Sequence, residues 1–381
     1  MAKLQVLVPV ASFFLGGGIR LMYFPPHVNP IIKLTESCNY SCYFCRYANH
    51  RQQDNGICVD HVKSIIFQCV EYNRKHGIQN MNIIFHGGEP LLYGMDRLKE
   101  IMNYEKEFIQ AGFTISNSIQ TNSSLLNDEW IDFLEKNHFS VGISLDGPIG
   151  MNGHVSVSPE ESEKKALTAY HKMKSRGMDC GFLSVITQKH LNAPADFLNF
   201  FLENDIASVG LCYCFNPVDN ENVDPIRLGE FLIKLYDLYF VAPKPIYIRE
   251  FDMVTRFVLN RPRHECAMSC RQSCGSFLTI TPNGNVEFCD DYSLDRSGTL
   301  GNINVDSILD MIKSEVYQMR RKEALQIVSE KCKKCPVFNL CKSGCMRNDY
   351  NGSNYFCETF KMLYPHIQKT VQYQLETGVV R

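Results

Sequence analysis

The stretch "IIKLTESCNYSCYFCRY", residues 31–47, runs a short apolar segment directly into three thiols. "IIKLTE" (31–36) reads as a strand, and Cys38, Cys42 and Cys45 follow in the next loop at C-x3-C-x2-C spacing. A structural zinc or an ordinary four-iron cluster takes four protein ligands, so this loop is one short.

Downstream, five more β-type runs recur: "NIIFHGG" (82–88), "TISNSIQT" (114–121), "SVGISLDG" (140–147), "CGFLSVIT" (180–187) and "SVGLCYCF" (208–215). Segments such as "VDHVKSIIFQCVEYNRKHG" and "DEWIDFLEKNH" separate them, with apolar residues at helical steps of three and four. Gly77, Gly112 and Gly177 stand where left-handed caps would close three of these helices. Six β-then-α units in succession predict an α/β fold, a partial (β/α)6 TIM-like barrel with a parallel sheet. In such a barrel the chemistry lies at the C-terminal strand ends. The cysteine loop ends the first strand, "GGEP" (87–90) the second, "QTN" (120–122) the third and "SLDG" (144–147) the fourth, so four strand ends converge on one mouth.

The chain has 381 residues, 45% hydrophobic content and a formal charge of −2, enough for one large domain and a smaller one. The expected division is an N-terminal segment (1–30), the barrel (31–241), and a linker with a cysteine-rich domain (242–381). The charge balance gives no argument for nucleic acid or membrane partners. Seventeen cysteines, grouped at gaps of two and three residues, point to a reduced cytoplasmic protein that uses thiols for metal rather than disulfides. The apolar run in "LQVLVPVASFFLGGGIRLM" (4–22) leaves a signal-peptide core and a true start at Met22 as alternatives. No later stretch approaches a membrane span.

Three thiolates on a [4Fe-4S] cluster leave one iron open to a small molecule with an amine and a carboxylate, as in S-adenosylmethionine. Cys38, Cys42, Phe44 and Cys45 match the C-x3-C-x-φ-C motif of the radical S-adenosylmethionine superfamily, which the chain resembles. The resemblance implies cofactor cleavage to a 5′-deoxyadenosyl radical. It implies that Glu89 with the Gly87 and Gly88 backbone holds the methionine amine, that Ser144 holds its carboxylate, and that loop aromatics including Phe44 shield the cluster. Gln120 and Asn122 are expected to line the ribose and peptide pocket. A zinc site completed by His50 or Cys58 is the alternative.

In the C-terminal third, nine residues separate Cys274 from Gly284 and four more lead to Cys289; Cys332, Cys335, Cys341 and Cys345 then follow C-x2-C-x5-C-x3-C spacing, with Cys357 beyond. This is similar to the seven-cysteine pattern of SPASM domains, and "CAMSCRQSC" (266–274) offers Cys270 or Cys266 as an eighth thiol. The resemblance implies auxiliary cluster I on Cys270, Cys274, Cys289 and Cys345, and cluster II on Cys332, Cys335, Cys341 and Cys357. Three [4Fe-4S] clusters result, with paired zinc ribbons the alternative. Cys58, Cys69, Cys180, Cys212 and Cys214 read as small buried hydrophobes, and Cys212 and Cys214 as facing one way from a strand.

"SIQTNSSLLNDEWIDFL", "VGISLDGP", "CKSGC" and "NYFCETFKMLYPH" resemble segments of the anaerobic sulfatase-maturase group in the same order. That group oxidises a Cys or Ser side chain of a protein to formylglycine, and related maturases cross-link ribosomal peptides. Asp290, directly after Cys289, takes the place of the group's proton acceptor. Two departures stand out: His86 precedes the GGE where the group has Gln, and "MNGHVSVSPEESEKK" (151–165) lacks the group's carboxylate-binding Arg. Lys164 or Lys165 is the substitute on offer. His86 is open between a core imidazole and a substrate-facing acid or base. The expected partners are a peptide or protein substrate, an electron donor such as flavodoxin or ferredoxin, and a separate leader-peptide recognition protein. The contrasting class is a non-catalytic iron-sulfur or zinc binding module.

Overall fold

A computed structural model describes residues 10–15, 18–45, 47, 55–153, 158–215, 222–261, 271–293, 295–326 and 329–378. The apolar run near the start forms an antiparallel hairpin of β1 (Val10–Leu15) and β2 (Gly18–Tyr23). Gln318 fastens it, accepting from Tyr23 N at 2.8 Å and donating to Tyr23 O at 3.0 Å. Among the described residues no helix is long and apolar enough to cross a membrane.

The barrel then alternates β3 (Asn29–Thr35), α1 (Val59–Lys75), β4 (Asn80–Gly87), α2 (Met95–Gln110), β5 (Thr114–Thr121), α3 (Asp128–Lys136), β6 (Ser140–Ser144), α4 (Pro159–Ser175), β7 (Cys180–Ile186), α5 (Pro194–Glu203), β8 (Ser208–Tyr213), α6 (Pro225–Phe240), β9 (Tyr247–Ile248) and α7 (Arg249–Val258). All six expected strands are present, and each pairs in parallel with the next. Side-chain alternation explains the layers. Ile32, Leu34, Ile83, Phe85, Val141, Ile143, Val209 and Leu211 are buried on the helical side. The alternate set, including Lys33, His86, Gln120, Ser144 and Cys212, faces the lumen and is mostly half-buried. Gly77, Gly112 and Gly177 take the positive φ of left-handed caps, +75°, +82° and +73°.

The cysteine-rich region adds β10 (Phe277–Ile280), β11 (Asn285–Glu287), β12 (Thr299–Asn302), α8 (Ile308–Lys313), α9 (Glu315–Leu325), α10 (Glu330–Lys333), α11 (Phe338–Cys341), β13 (Asp349–Tyr350), β14 (Ser353–Asn354) and α12 (Cys357–Thr377). It shares the barrel's sheet. β10 lies parallel to β3, with Thr279 opposite Ile31, and β11 and β12 extend the edge antiparallel, making a ten-stranded sheet ordered β12-β11-β10-β3-β4-β5-β6-β7-β8-β9. The open edge of a six-stranded barrel, which would otherwise present unpaired backbone groups, is thereby covered. At the other end α12 packs on α6 and α7, and Thr359 donates to Pro225 O at 2.6 Å.

Candidate active site

The GGE strand end is built to hold the cysteine loop. Gly88 N donates to Thr35 O and Glu89 N to Ser37 O, both at 2.8 Å, so the β3–β4 ladder continues to the edge of the three-thiol segment. A Cβ at Gly87 would fall on Thr35 O, and one at Gly88 on Ser37 O; Gly87 also has φ +141°. Only glycine allows this backbone approach.

Glu89 joins two strand ends. It is fully buried, and Oε1 accepts from Leu91 N (3.0 Å) and Thr121 Oγ1 (2.7 Å) while Oε2 accepts from Asn122 N (2.8 Å). Burial pushes its carboxyl up to about 7 against these bonds. The carboxylate ties the end of β4 to the end of β5. Asn122 completes the tie: its Nδ2 donates to Asn39 Oδ1 at 2.9 Å and lies 3.8 Å from Cys38 Sγ. Within the loop, Cys45 N donates to Cys42 O at 3.0 Å.

The loop's far side docks on the segment after β6. Tyr43 N donates to Gly153 O at 3.2 Å, and Phe44 occupies the space a Cβ at Gly153 would need. Asp146, absent from the sequence expectations, organises this segment, accepting from Gly153 N (3.0 Å) and Val185 N (2.9 Å). Its burial raises its carboxyl to about 6. Phe44 therefore clamps the loop. Gln120 crosses the lumen face of Gly142 and donates to Ser144 Oγ at 2.9 Å, so the two expected cofactor residues are each other's partners. Lys164 and Lys165 are exposed on α4, where Lys165 pairs with Glu161 at 2.8 Å and also acts electrostatically on Tyr40 of the cysteine loop.

Asp290 reaches over the mouth from the short 3-10 turn Asp290–Tyr292. Its Oδ2 accepts from Tyr47 Oη at 2.7 Å, and Lys33 Nζ lies 3.0 Å from Oδ1, an ion pair without an aligned hydrogen bond. Lys33 also donates to Ser293 Oγ (2.6 Å) and sits 3.8 Å from the Tyr47 ring centroid. Burial would raise the Asp290 carboxyl, but Lys33, His86 and Tyr47 outweigh it and hold it at about 2. His86 stands opposite Lys33 in the β3–β4 register, with its Nδ1 accepting from Gly87 N at 2.8 Å. Burial lowers its pKa, with Asp290 pulling the other way, and with Nδ1 taken up by Gly87 N it is Nε2 that is left to face the lumen. Lys33 and Tyr47 were missed; a lysine inside an apolar strand was the available signal.

The opposite wall carries a group that sequence reasoning also missed. Arg249 projects over Gly210 and bonds Glu250 Oε1 through Nε (2.7 Å) and Leu211 O through Nη2 (3.3 Å), beside Cys212. Cys212 is half-buried here, Cys214 is buried beyond the end of β8, Cys180 is half-buried, and Cys58 is exposed at the start of α1. Of the five expected core thiols only Cys69 and Cys214 are buried.

In the cysteine-rich region, Cys332, Cys335 and Cys357 all act electrostatically on Cys341, whose thiol is pushed up to about 12 by burial first and then by these neighbours. The four residues expected on one cluster are thus mutual neighbours, and such a donor set fits an iron-sulfur cluster. Cys274 and Cys289 flank the β10–β11 hairpin, and Cys345 O accepts from Asn354 Nδ2 at 2.8 Å. Cys266, Cys270 and His50 lie outside the described residues. Among the described residues no three Cys, His, Asp or Glu side chains are drawn up as a closed metal cage.

Residues 32–200 match the radical SAM superfamily, and residues 270–336 match the SPASM iron-sulfur cluster-binding domain. The chain thus has regions that match a radical S-adenosylmethionine domain and a SPASM domain, and these domains imply S-adenosylmethionine and [4Fe-4S] clusters, auxiliary ones included. It is 28% identical over 370 residues to the cysteine-type anaerobic sulfatase-maturating enzyme of Clostridium perfringens, covering 90% of this chain and 96% of that one. To the serine-type enzyme of Bacteroides thetaiotaomicron it is 24% identical over 364 residues, covering 87% and 86%. In fold it is similar to native anSMEcpe with bound AdoMet (TM-score 0.82, 24% identity, 92% and 99% covered). It also resembles Streptococcus suis SuiB bound to precursor peptide SuiA (TM-score 0.63, 17% identity, 87% and 75% covered).

Proposed function

We propose that this protein is a peptide or protein maturase that removes a hydrogen atom from a peptidyl side chain and leaves an oxidised or cross-linked residue. When bound at the mouth, the cluster and S-adenosylmethionine would supply the 5′-deoxyadenosyl radical. Cys38, Cys42 and Cys45 would hold that cluster, with the Gly87–Glu89 strand end and Asn122 holding the loop, and Gln120 and Ser144 forming the adjoining wall. The two auxiliary clusters would take the thiol sets given above. The observation that carries the reading is Asp290, an ionised carboxylate placed over the mouth by Lys33 and Tyr47. Both braces come from the barrel and its cysteine loop, so the cysteine-rich region closes the reaction chamber and supplies a proton acceptor beside an electron acceptor. His86, opposite Lys33 in the strand register, shares the lumen with this pair. An electron donor such as flavodoxin or ferredoxin would reduce the cleaving cluster, and a separate leader-peptide protein would recruit substrate.

A second reading has comparable support: formation of formylglycine from Cys or Ser, as the names of the sulfatase-maturating relatives suggest. The test is anaerobic reconstitution with reductant and cofactor, first for 5′-deoxyadenosine, then with candidate peptides. A peptide from a neighbouring small open reading frame that loses two hydrogens supports the first reading. An aldehyde formed on a sulfatase peptide supports the second, and no 5′-deoxyadenosine under any condition overturns both. Replacing Cys38, Cys42 and Cys45 together with Ala is expected to abolish 5′-deoxyadenosine while leaving about eight of some twelve irons, on four-iron stoichiometry.

A further inference from the structure

Five lysines stand against the thiols expected to hold auxiliary cluster II. Lys331 and Lys333 flank Cys332, Lys334 precedes Cys335, and Lys342 follows Cys341. Lys361 lies one turn after Cys357 on α12 and acts electrostatically on both Cys357 and Cys335. All but Lys342 are exposed. Among the described residues Glu330 pairs with Lys333 at 2.5 Å and Glu358 with Lys361 at 2.7 Å, while Lys331, Lys334 and Lys342 make no ion pair. Counting these seven groups, five cations against two anions leave the patch three charges positive, on a chain whose formal net charge is −2.

The thiols beneath lie close to the surface. Cys332, Cys335 and Cys357 are half-buried and Cys341 is buried, and the first three all act on Cys341. A cluster held by these four would therefore sit next to the lysines and near solvent, where a partner protein can approach it.

The proposed reaction sets what such a partner would carry. In each turnover one electron enters at the cleaving cluster and is consumed in breaking the sulfonium bond of S-adenosylmethionine. The deoxyadenosyl radical takes one hydrogen atom from the substrate, and the substrate radical then loses a proton to Asp290 and an electron to the auxiliary clusters. That second electron needs an acceptor, and a basic face selects an acidic one, because opposite charges speed encounter and fix orientation. A precursor peptide with an acidic leader would use the same charges but has no need of thiols beneath them.

We propose that this lysine face is the docking site of a small acidic one-electron carrier protein, which takes the substrate's electron from auxiliary cluster II. The inference rests on the oxidative reading above and on Cys332, Cys335, Cys341 and Cys357 as that cluster's ligands.

The test mixes the fully loaded, reduced protein with an oxidised acidic flavodoxin under anaerobic conditions and follows flavin reduction by stopped flow, at low and at high salt. The parent is compared with Lys331→Glu/Lys334→Glu and Lys331→Gln/Lys334→Gln. At low salt the second-order rate constant is expected to fall at least about tenfold in the Glu variant and about threefold in the Gln variant, and the three are expected to converge as salt rises. Iron content, and 5′-deoxyadenosine formed with a chemical reductant, are expected to stay at parent levels, since neither depends on docking. Equal rates in all three proteins at low salt overturn the proposal, as does a parent rate that does not fall with salt. If the Glu variant loses iron, the Gln variant decides alone, and a parent rate there overturns the proposal. Loss of binding to the precursor peptide with flavodoxin reduction unchanged also overturns it, in favour of substrate recruitment. Failure of the underlying reading is seen separately: no 5′-deoxyadenosine from the parent overturns the oxidative reaction, and a full complement of iron in Cys335→Ala overturns the ligand assignment.

Discussion

Gly88 and Asp290 show how single residues set the site. At Gly88 an added Cβ would strike Ser37 O, a backbone atom of the segment leading into the thiols, so Gly88→Ala has to displace that segment. Overpacking of this kind costs about 1–3 kcal/mol. The expected outcome is loss of the cofactor-cleaving cluster, about four of some twelve irons, with the auxiliary clusters retained. Iron content per chain checks this, and a full complement would show that the loop yields. Asp290→Asn keeps the size and the Tyr47 contact but removes basicity and leaves Lys33, only 3% exposed, without its counter-charge. Product is expected to form about 10²-fold more slowly while cofactor is still cleaved in the presence of substrate. Product at the parent rate would make Asp290 a structural brace alone.

Between elements, α2 and β5 meet through a buried acid–amide pair. Asn117 Nδ2 donates to Glu105 Oε2 at 2.7 Å, while Glu105 Oε1 and Asn117 Oδ1 have no partner among the described residues. Burial raises the Glu105 carboxyl from 4.5 to about 7, opposed by the Asn117 bond. The folded state therefore binds more protons than the unfolded state between about pH 4.5 and 7, and this group's contribution to stability falls as pH rises through that window. Its full span is on the order of 3 kcal/mol, from the shift and 1.36 kcal/mol per unit. Glu105→Gln stays neutral and can donate where the ionised acid cannot. It is expected to be about 1–3 kcal/mol more stable than the parent at pH 8, with the advantage gone below about pH 4.5. Anaerobic denaturant midpoints at several pH values measure it, and a difference independent of pH would disprove the linkage.

At the scale of the whole molecule, the shared sheet makes the two regions dependent on each other. β10 completes the edge of β3, Asp290 neutralises Lys33 in the lumen, and α12 covers α6 and α7. A chain cut after Arg261 would expose the β3 edge, the α6 face and a buried lysine at once. It is expected to aggregate rather than fold as a free barrel. Unfolding of the intact chain should follow a single transition by circular dichroism and by iron-sulfur absorbance. Two well-separated transitions would mean that the regions are independently stable.

What the sequence determined by itself is what local pattern encodes. Strand and helix periodicity gave the six barrel strands, glycine positions gave the caps, and cysteine spacing gave the cluster motifs. Each rests on residues a few positions apart, where backbone geometry alone dictates the outcome. The tertiary structure decided everything that depends on which distant elements meet. It turned Glu89 inward, paired Gln120 with Ser144, brought Lys33 to Asp290, put Cys58 at the surface, and buried Arg321 beside Cys274. A lysine inside an apolar strand signals a buried charge but not the group it meets, because the partner's position follows from sheet order and register. Here β10 docks on β3 although some 240 residues lie between them, and no spacing rule within either strand anticipates that pairing.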